Sequence, residues 1–227
     1  GLFLLDPATG ANRRVASREQ GNLANNTIRC IFEDSKGRIW LGTYTGLSLK
    51  DSASTTFSHY KTDEKHLNNS IYQIEEHPKE EKLIIASFRG GLQMFDIESK
   101  TFEVWKHNAD DSASISNNNL MSLCWVNEDS LLIGTYGGGM NIFDLRTKKF
   151  TSITEADGLV NNVVYGIIYA GNGEAWLSTN DGLVRYNIYR KEFVNFKPVH
   201  YLQSTEYNEG AFLSASSGYF YFGGVNG

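Results

Sequence analysis

The side chains able to do chemistry in this chain are scattered, and their spacing argues against most catalytic arrangements. The five histidines, His59, His66, His77, His107 and His200, include no pair at metal-ligand spacing. They are expected to be solvated residues of loops or outer strands. Gly137-Gly138-Gly139 is glycine-rich, but no Lys-Ser/Thr follows it, so it reads as a flexible strand-to-strand turn rather than a phosphate cradle. The carboxylate pairs Glu75-Glu76, Glu80-Glu81 and Asp110-Asp111 are adjacent in sequence. Neighbours on a strand point to opposite faces, and neighbours in a turn face water, so none is placed for acid–base work across a bond. No Ser-His-Asp constellation can be assembled. A different chemistry is open to Tyr44, Arg89, Tyr136, Asn180 and Asp181. Amides and guanidiniums hydrogen-bond hydroxyls, and aromatic faces cover the apolar side of a sugar ring.

Those residues sit at fixed places in a repeat. Asn25-Asn26-Thr27-Ile28, Asn68-Asn69-Ser70-Ile71, Asn118-Asn119-Leu120-Met121 and Asn161-Asn162-Val163-Val164 open four copies. Each is followed by an apolar run ending on small residues: Ile39–Thr43, Leu83–Ser87, Leu131–Thr135 and Ala175–Thr179, with a fifth at Phe220–Gly224. The small residues Gly42, Ala86, Gly134, Ser178 and Gly223 recur at intervals of 44, 48, 44 and 45. A third element, glycine then a large apolar residue, begins at Gly1, Gly46, Gly91, Gly139 and Gly182. Three elements in phase over five copies identify a repeat architecture.

Each copy reads as four short strands. In the first complete copy strand A is Thr27–Phe32, B is Arg38–Thr43, C is Leu47–Lys50 and D is Thr56–Lys61. Strand B is continuously apolar in most copies, as a strand covered on both faces would be. Strand D alternates, as in Thr101–Lys106, which suits a half-solvated outer strand. No helical period is present. Four strands every 45 residues predict an all-β fold, a β-propeller of about five blades' worth. The divisions are half a blade over 1–22, blades over about 23–65, 66–115, 116–158 and 159–203, and half a blade over 204–227. The half-blades could close a five-bladed ring; the preferred reading is an arc of a larger propeller. In a propeller the D–A and B–C connections share one face. That face receives the Asn pairs and the B–C loops holding the five candidates. Asn pairs present in nearly every copy are expected to bond the turn backbone, so specificity falls to the residues that break the repeat.

Composition narrows the function classes. Of 227 residues, 41% are hydrophobic and 21% charged, which excludes a disordered chain. The net charge of −5 disfavours nucleic acid as a partner. No apolar run reaches the roughly 18 residues of a membrane span, and the sequence is expected to start after any targeting segment. Cys30 and Cys124 lie in apolar strands and are expected to be unpaired buried thiols. Counted from the Asn pairs they fall one register position apart, on opposite strand faces.

The cassette formed by Asn25, Asn26, Ile28, Glu33, Asp34, Gly37, Ile39, Trp40, Leu41, Gly42, Thr43, Gly46 and Leu47 resembles the two-component regulator propeller repeat. That repeat builds the extracytoplasmic sensor of hybrid histidine kinases in glycan-degrading gut bacteria. There, two seven-bladed propellers precede a tyrosine-rich β-sandwich, a membrane span and the kinase. Glu206–Phe212 and Tyr221–Gly227 look like the closing blade of the second propeller. The resemblance implies a non-catalytic periplasmic sensor segment of an inner-membrane-anchored protein, without cofactor or metal. The implied partners are an oligosaccharide, further propeller and β-sandwich domains, and a second copy in a homodimer. A propeller enzyme acting on polysaccharide and a protein-interaction platform are the competing readings.

Overall fold

The computed structural model describes residues 1–17, 23–50, 56–61, 70–197, 202 and 204–226. Asn68, Asn69, His66, His200 and Gly227 lie outside the described residues. Among the described ones, the regular elements are strands apart from a 3-10 turn at Glu155–Asp157. β1 (Leu2–Leu5) and β2 (Asn12–Ala16) form a two-stranded sheet. Four-stranded sheets follow. The first is β3 (Ile28–Glu33), β4 (Ile39–Thr43), β5 (Gly46–Lys50) and β6 (Phe57–Tyr60). The second is β7 (Ser70–Glu76), β8 (Lys82–Phe88), β9 (Gly91–Asp96) and β10 (Thr101–Trp105). The third is β11 (Leu120–Asn127), β12 (Ser130–Thr135), β13 (Met140–Asp144) and β14 (Lys149–Ile153). The fourth is β15 (Val164–Gly171), β16 (Glu174–Thr179), β17 (Gly182–Asn187) and β18 (Glu192–Phe196). β19 (Tyr207–Ser214) and β20 (Phe220–Gly224) pair last. Within each sheet the strands lie in chain order, as propeller blades do.

The chain divides into two compact units, Gly1–Glu103 and Val104–Gly227. In the first, the sheets starting at β3 and β7 pack around Trp40, Leu47, Ile71, Ile74, Leu83 and Phe95. In the second, those starting at β11 and β15 pack around Leu132, Met140, Val164, Ile167, Leu177 and Tyr186. The all-apolar strands are the buried ones. Leu83, Ile84, Ile85 and Ala86 of β8 are each wholly enclosed, and enclosing a large apolar side chain contributes about 1.5–3 kcal/mol. β20 differs. It is the second strand of a two-stranded sheet; among the described residues no third strand pairs with it, and Tyr221 is exposed.

Close approach of neighbouring sheets explains the small residue of the apolar strand. A Cβ on Gly134 would lie 2.4 Å from Ser122 Oγ and 2.8 Å from the backbone oxygen of Val164, on the next sheet. At Gly42 it would meet Cys30 Sγ and Ile71 in the same way.

The A–B turn accounts for the Asp and Trp of the cassette. The Asp34 side chain is fully enclosed. It accepts from the backbone N–H of Lys36 and Arg38, from Arg38 Nε at 2.6 Å and from Trp40 Nε1 at 2.8 Å. In the next sheet His77 stands in its place. It is buried, and its Nδ1 accepts from the N–H of Lys79 and Glu80. The expectation of a solvated histidine is therefore corrected at His77, whose ring closes a turn that has lost its aspartate. At the position of the tryptophan this sheet has Ile84. The two turns are tied together. Ser35 donates twice to Glu76, at 2.8 and 2.7 Å, and Glu81 holds both Lys36 and Arg38.

The ladder also corrects one register. Ile28, Leu120 and Val164 pair with Thr43, Thr135 and Thr179, so the third Asn pair is Asn117-Asn118, one residue earlier than expected. Cys30 then pairs with Gly42 and Cys124 with Leu132, two ladder positions apart and on the same strand face. Neither cysteine is in a disulfide.

Candidate functional site

Every complete sheet carries the same irregularity where its first strand begins. Ile28 pairs with Thr43 but Cys30 with Gly42, so the register skips Arg29. Tyr72, Met121 and Tyr165 are skipped in the same way. Such a β-bulge bends the strand and re-aims one side chain. It lies at the end of the sheet that bears the B–C turn, because the residue before it pairs with the last residues of the second strand.

The B–C turn is built from the threonine of the cassette. Thr43, Thr135 and Thr179 donate their hydroxyls to the carbonyls of Gly46, Gly139 and Gly182, each at 2.8 Å, and Ser87 does the same to Gly91 at 2.9 Å. The next residue is pinned by its backbone. Tyr44, Tyr136 and Asn180 donate to the carbonyls of Thr27, Asn119 and Val163. Phe88 holds this place in the second sheet. Backbone bonding thus sets the position and leaves the side chain variable.

The asparagines serve the turns, as expected of residues common to the copies. Asn25, Asn117 and Asn161 each accept from the backbone N–H two residues on. Asn118 and Asn162 accept from the N–H of His107 and Glu155, tying down the incoming D–A connection. The adjacent carboxylates are also engaged locally. Burial pushes the Glu75 carboxyl up while Gln73 donates to it at 2.7 Å. Glu76 and Glu81 bridge turns as described, and Asp111 accepts from Ala113 N–H.

In the first unit Tyr44 is exposed on its turn. Arg89 is exposed, with its guanidinium carbon 5.8 Å from the Phe88 ring centroid. The Phe88 and Tyr72 rings lie 5.8 Å apart, and Arg29 stands over Tyr72 at 4.9 Å. In the second unit Tyr165 donates its hydroxyl to Asn180 Oδ1 at 3.2 Å. The Tyr165 phenol is pushed above its ordinary pKa, first by burial, then by Tyr136, Glu206 and Glu209 nearby. The structure therefore gathers Tyr136 and Asn180 around Tyr165. Asp181 turns instead to Lys197, 2.6 Å away. Arg29, Tyr72 and Tyr165 escaped the sequence reading. Their only signal is a polar or aromatic residue directly after the first apolar residue of strand A. Among the described residues no group of three or more His, Cys, Asp or Glu could hold a metal ion.

Comparison with known proteins agrees with this geometry. Residues 22–45 match the two-component regulator propeller model. The chain is 27% identical over 206 residues to histidine kinase P4 of Formosa agariphila, covering 91% of this chain and 12% of that protein. Among solved structures it is similar to the extracellular domain of BT3049 from B. thetaiotaomicron, described as a hybrid two-component system. The TM-score is 0.81 at 23% identity, over 95% of this chain and 29% of that one. The extracellular domain of BT4673 from the same organism, described as a one-component system, gives 0.75 at 20% identity, over 90% and 29%. Sequence cassette, blade topology and likeness converge on one fold: the sheets of this chain are β-propeller blades, and residues 22–45 match the two-component regulator propeller repeat.

Proposed function

We propose that the chain is a non-catalytic recognition segment of an extracytoplasmic sensor. It belongs to the periplasmic part of a hybrid two-component histidine kinase anchored in the inner membrane, and it helps bind an oligosaccharide. The observation that carries the sensor reading is the alignment along 91% of the chain with a histidine kinase of which it spans 12%. The extracellular location of the matched domains supports the compartment. Among the described residues no helix is long and apolar enough to cross a membrane. The sugar reading rests on the B–C edge, where aromatic rings stand beside guanidinium and amide groups in both units. Neighbouring propeller and β-sandwich domains and a second copy of the protein complete the assembly.

Ligand acts on this system by preferring one of two arrangements of the assembly. Shifting a two-state output from 1:99 to 99:1 takes about 5.5 kcal/mol of differential affinity. A few desolvated aromatic and guanidinium contacts reach that range. The test uses full-length protein in membrane vesicles, with autophosphorylation measured against an array of defined oligosaccharides. The response to the best oligosaccharide is expected to be lost when Phe88 and Tyr136 are both changed to Ala. An undiminished response in that double variant, or release of product from the glycan by the protein, overturns the proposal.

A further inference from the structure

In the second unit, the end of the sheets that bears the A–B turn lies opposite the B–C edge. There the third and fourth sheets carry the same turn between their last two strands, with different side chains on it. Asn187 accepts from the N–H groups of Tyr189 and Arg190, and Asp144 from those of Arg146 and Thr147. The backbone thus fixes one place per sheet, filled by Tyr189 in one and Arg146 in the other.

Tyr189 is 71% exposed, yet its ring and hydroxyl are also held. The ring lies on Gly173, where an added Cβ would stand 2.4 Å from Tyr189 Cδ2. The hydroxyl is hydrogen-bonded to that of Tyr169, which also accepts from the Gly173 N–H at 3.0 Å. One ring face rests on the glycine, and an exposure this high leaves the other to solvent. A ring fixed in advance offers a ligand contact area at little entropic cost.

Arg146 borders a cavity of about 870 Å³ on the third sheet, lined also by Ile142, Thr151, Lys149 and the carboxylates of Asp129 and Asp144. Arg146 Nε stands 3.6 Å from Asp129 and 3.9 Å from Asp144, too far for a hydrogen bond. Lys149 and Thr151 are exposed. Donors, acceptors and both signs of charge therefore meet in one concave place. Ile142 and Tyr169 border the same core, the one that joins these two sheets, so the cavity and the tyrosine ring flank one seam.

We infer that this seam binds a neutral oligosaccharide. The inference rests on the oligosaccharide reading above and adds a site separate from the B–C edge. Sugar hydroxyls donate and accept at once, which suits a lining that does both; an ionic ligand would meet its own sign there. The open face of Tyr189 takes the apolar face of a pyranose. The volume falls within the roughly 300–1,000 Å³ of small-ligand sites.

The test is titration calorimetry of the intact protein with short glucan, mannan, xylan and galactan oligosaccharides and with uronic ones. It is run on the parent and on a Phe88→Ala/Tyr136→Ala variant, which removes rings of the B–C edge. A neutral member is expected to bind that variant still, with little dependence on salt. Adding Tyr189→Ala should then weaken the binding about tenfold, adding Arg146→Ala should weaken it too, and Tyr189→Phe, which keeps the ring, should retain most of it. If the parent binds but the Phe88→Ala/Tyr136→Ala variant does not, or if Tyr189→Ala and Arg146→Ala change nothing, the site is overturned and the oligosaccharide reading stands. A parent that binds only the uronic members overturns the neutral class. A parent that binds no member removes both readings. Unaltered circular dichroism in each variant separates lost binding from lost folding.

Discussion

Replacing Asp34 by Asn tests whether the first A–B turn is held by charge or by shape alone. The carboxylate accepts four N–H groups, two on each oxygen, and none of its side chain is exposed. Asparagine keeps one oxygen. If it faces the backbone, its amide nitrogen confronts Arg38 Nε and Trp40 Nε1, donor against donor. A buried indole N–H left without an acceptor costs about 1–3 kcal/mol, and a hydrogen bond to a charged group is worth about 1.5–3. Glu81 still holds Arg38 from the other side, so the expected loss is about 3 kcal/mol, the low end for breaking a buried pair. Urea unfolding followed by tryptophan fluorescence reads this as a lower midpoint. The pH dependence has a definite sign. Burial works to raise the Asp34 pKa, but the hydrogen bonds from Trp40 and Arg38 and the Arg38 charge outweigh it and hold the carboxyl below its ordinary value. A lowered folded pKa gives stability that is complete above the unfolded value, about 3.9, and is lost as the pH falls through the folded one. The gap between parent and variant should stay constant from pH 5 to 8 and narrow below pH 4. A variant within about 0.5 kcal/mol of the parent at pH 7, a small surface-type effect, or a gap unchanged at pH 3, would refute the reasoning.

Three further outcomes are expected. Gly134→Ala should destabilise by about 1–3 kcal/mol, the usual cost of overpacking, because the new methyl meets the rigid backbone oxygen of Val164; a neutral result in thermal unfolding contradicts the close approach. Arg89 has φ +68°, and Arg89→Gly should leave stability within about 0.5 kcal/mol, since relief of left-handed strain offsets the greater freedom of the unfolded chain; a large fall in melting temperature would show that the arginine is structural. Burial pushes the Cys30 thiol pKa up to about 12, so in folded protein at pH 8 it should resist iodoacetamide until denaturant is added; rapid labelling without denaturant would count against its enclosure.

Strand order and burial were legible because they are periodic. The run Leu83–Ser87 needs cover on both faces, Thr101–Trp105 needs it on one, and hydrophobicity records both. Asparagines common to several copies could be assigned to the turns for the same reason. What escaped is aperiodic. A bulge adds one residue without altering composition, so Arg29, Tyr72 and Tyr165 look like ordinary strand residues until the ladder is seen. In Asn117-Asn118-Asn119, three equivalent letters in a row conceal which two hold the turn, and that one-residue ambiguity carried over to the face assigned to Cys124. His77 was missed because an imidazole nitrogen can stand in for a carboxylate as acceptor, an equivalence of function with no likeness of residue type.

The bulge also bears on how such a chain diversifies. Four sheets repeat one ladder, yet in each the register skips one residue, and Arg29, Tyr72, Met121 and Tyr165 differ there. Met121 is tucked inside; the other three reach the B–C edge. A duplicated sheet thus arrives with its packing solved and one position open to revision. Shuffling sheets within a gene would carry that single letter along with the cassette, and a surface could be respelled one blade at a time while the interior kept its grammar.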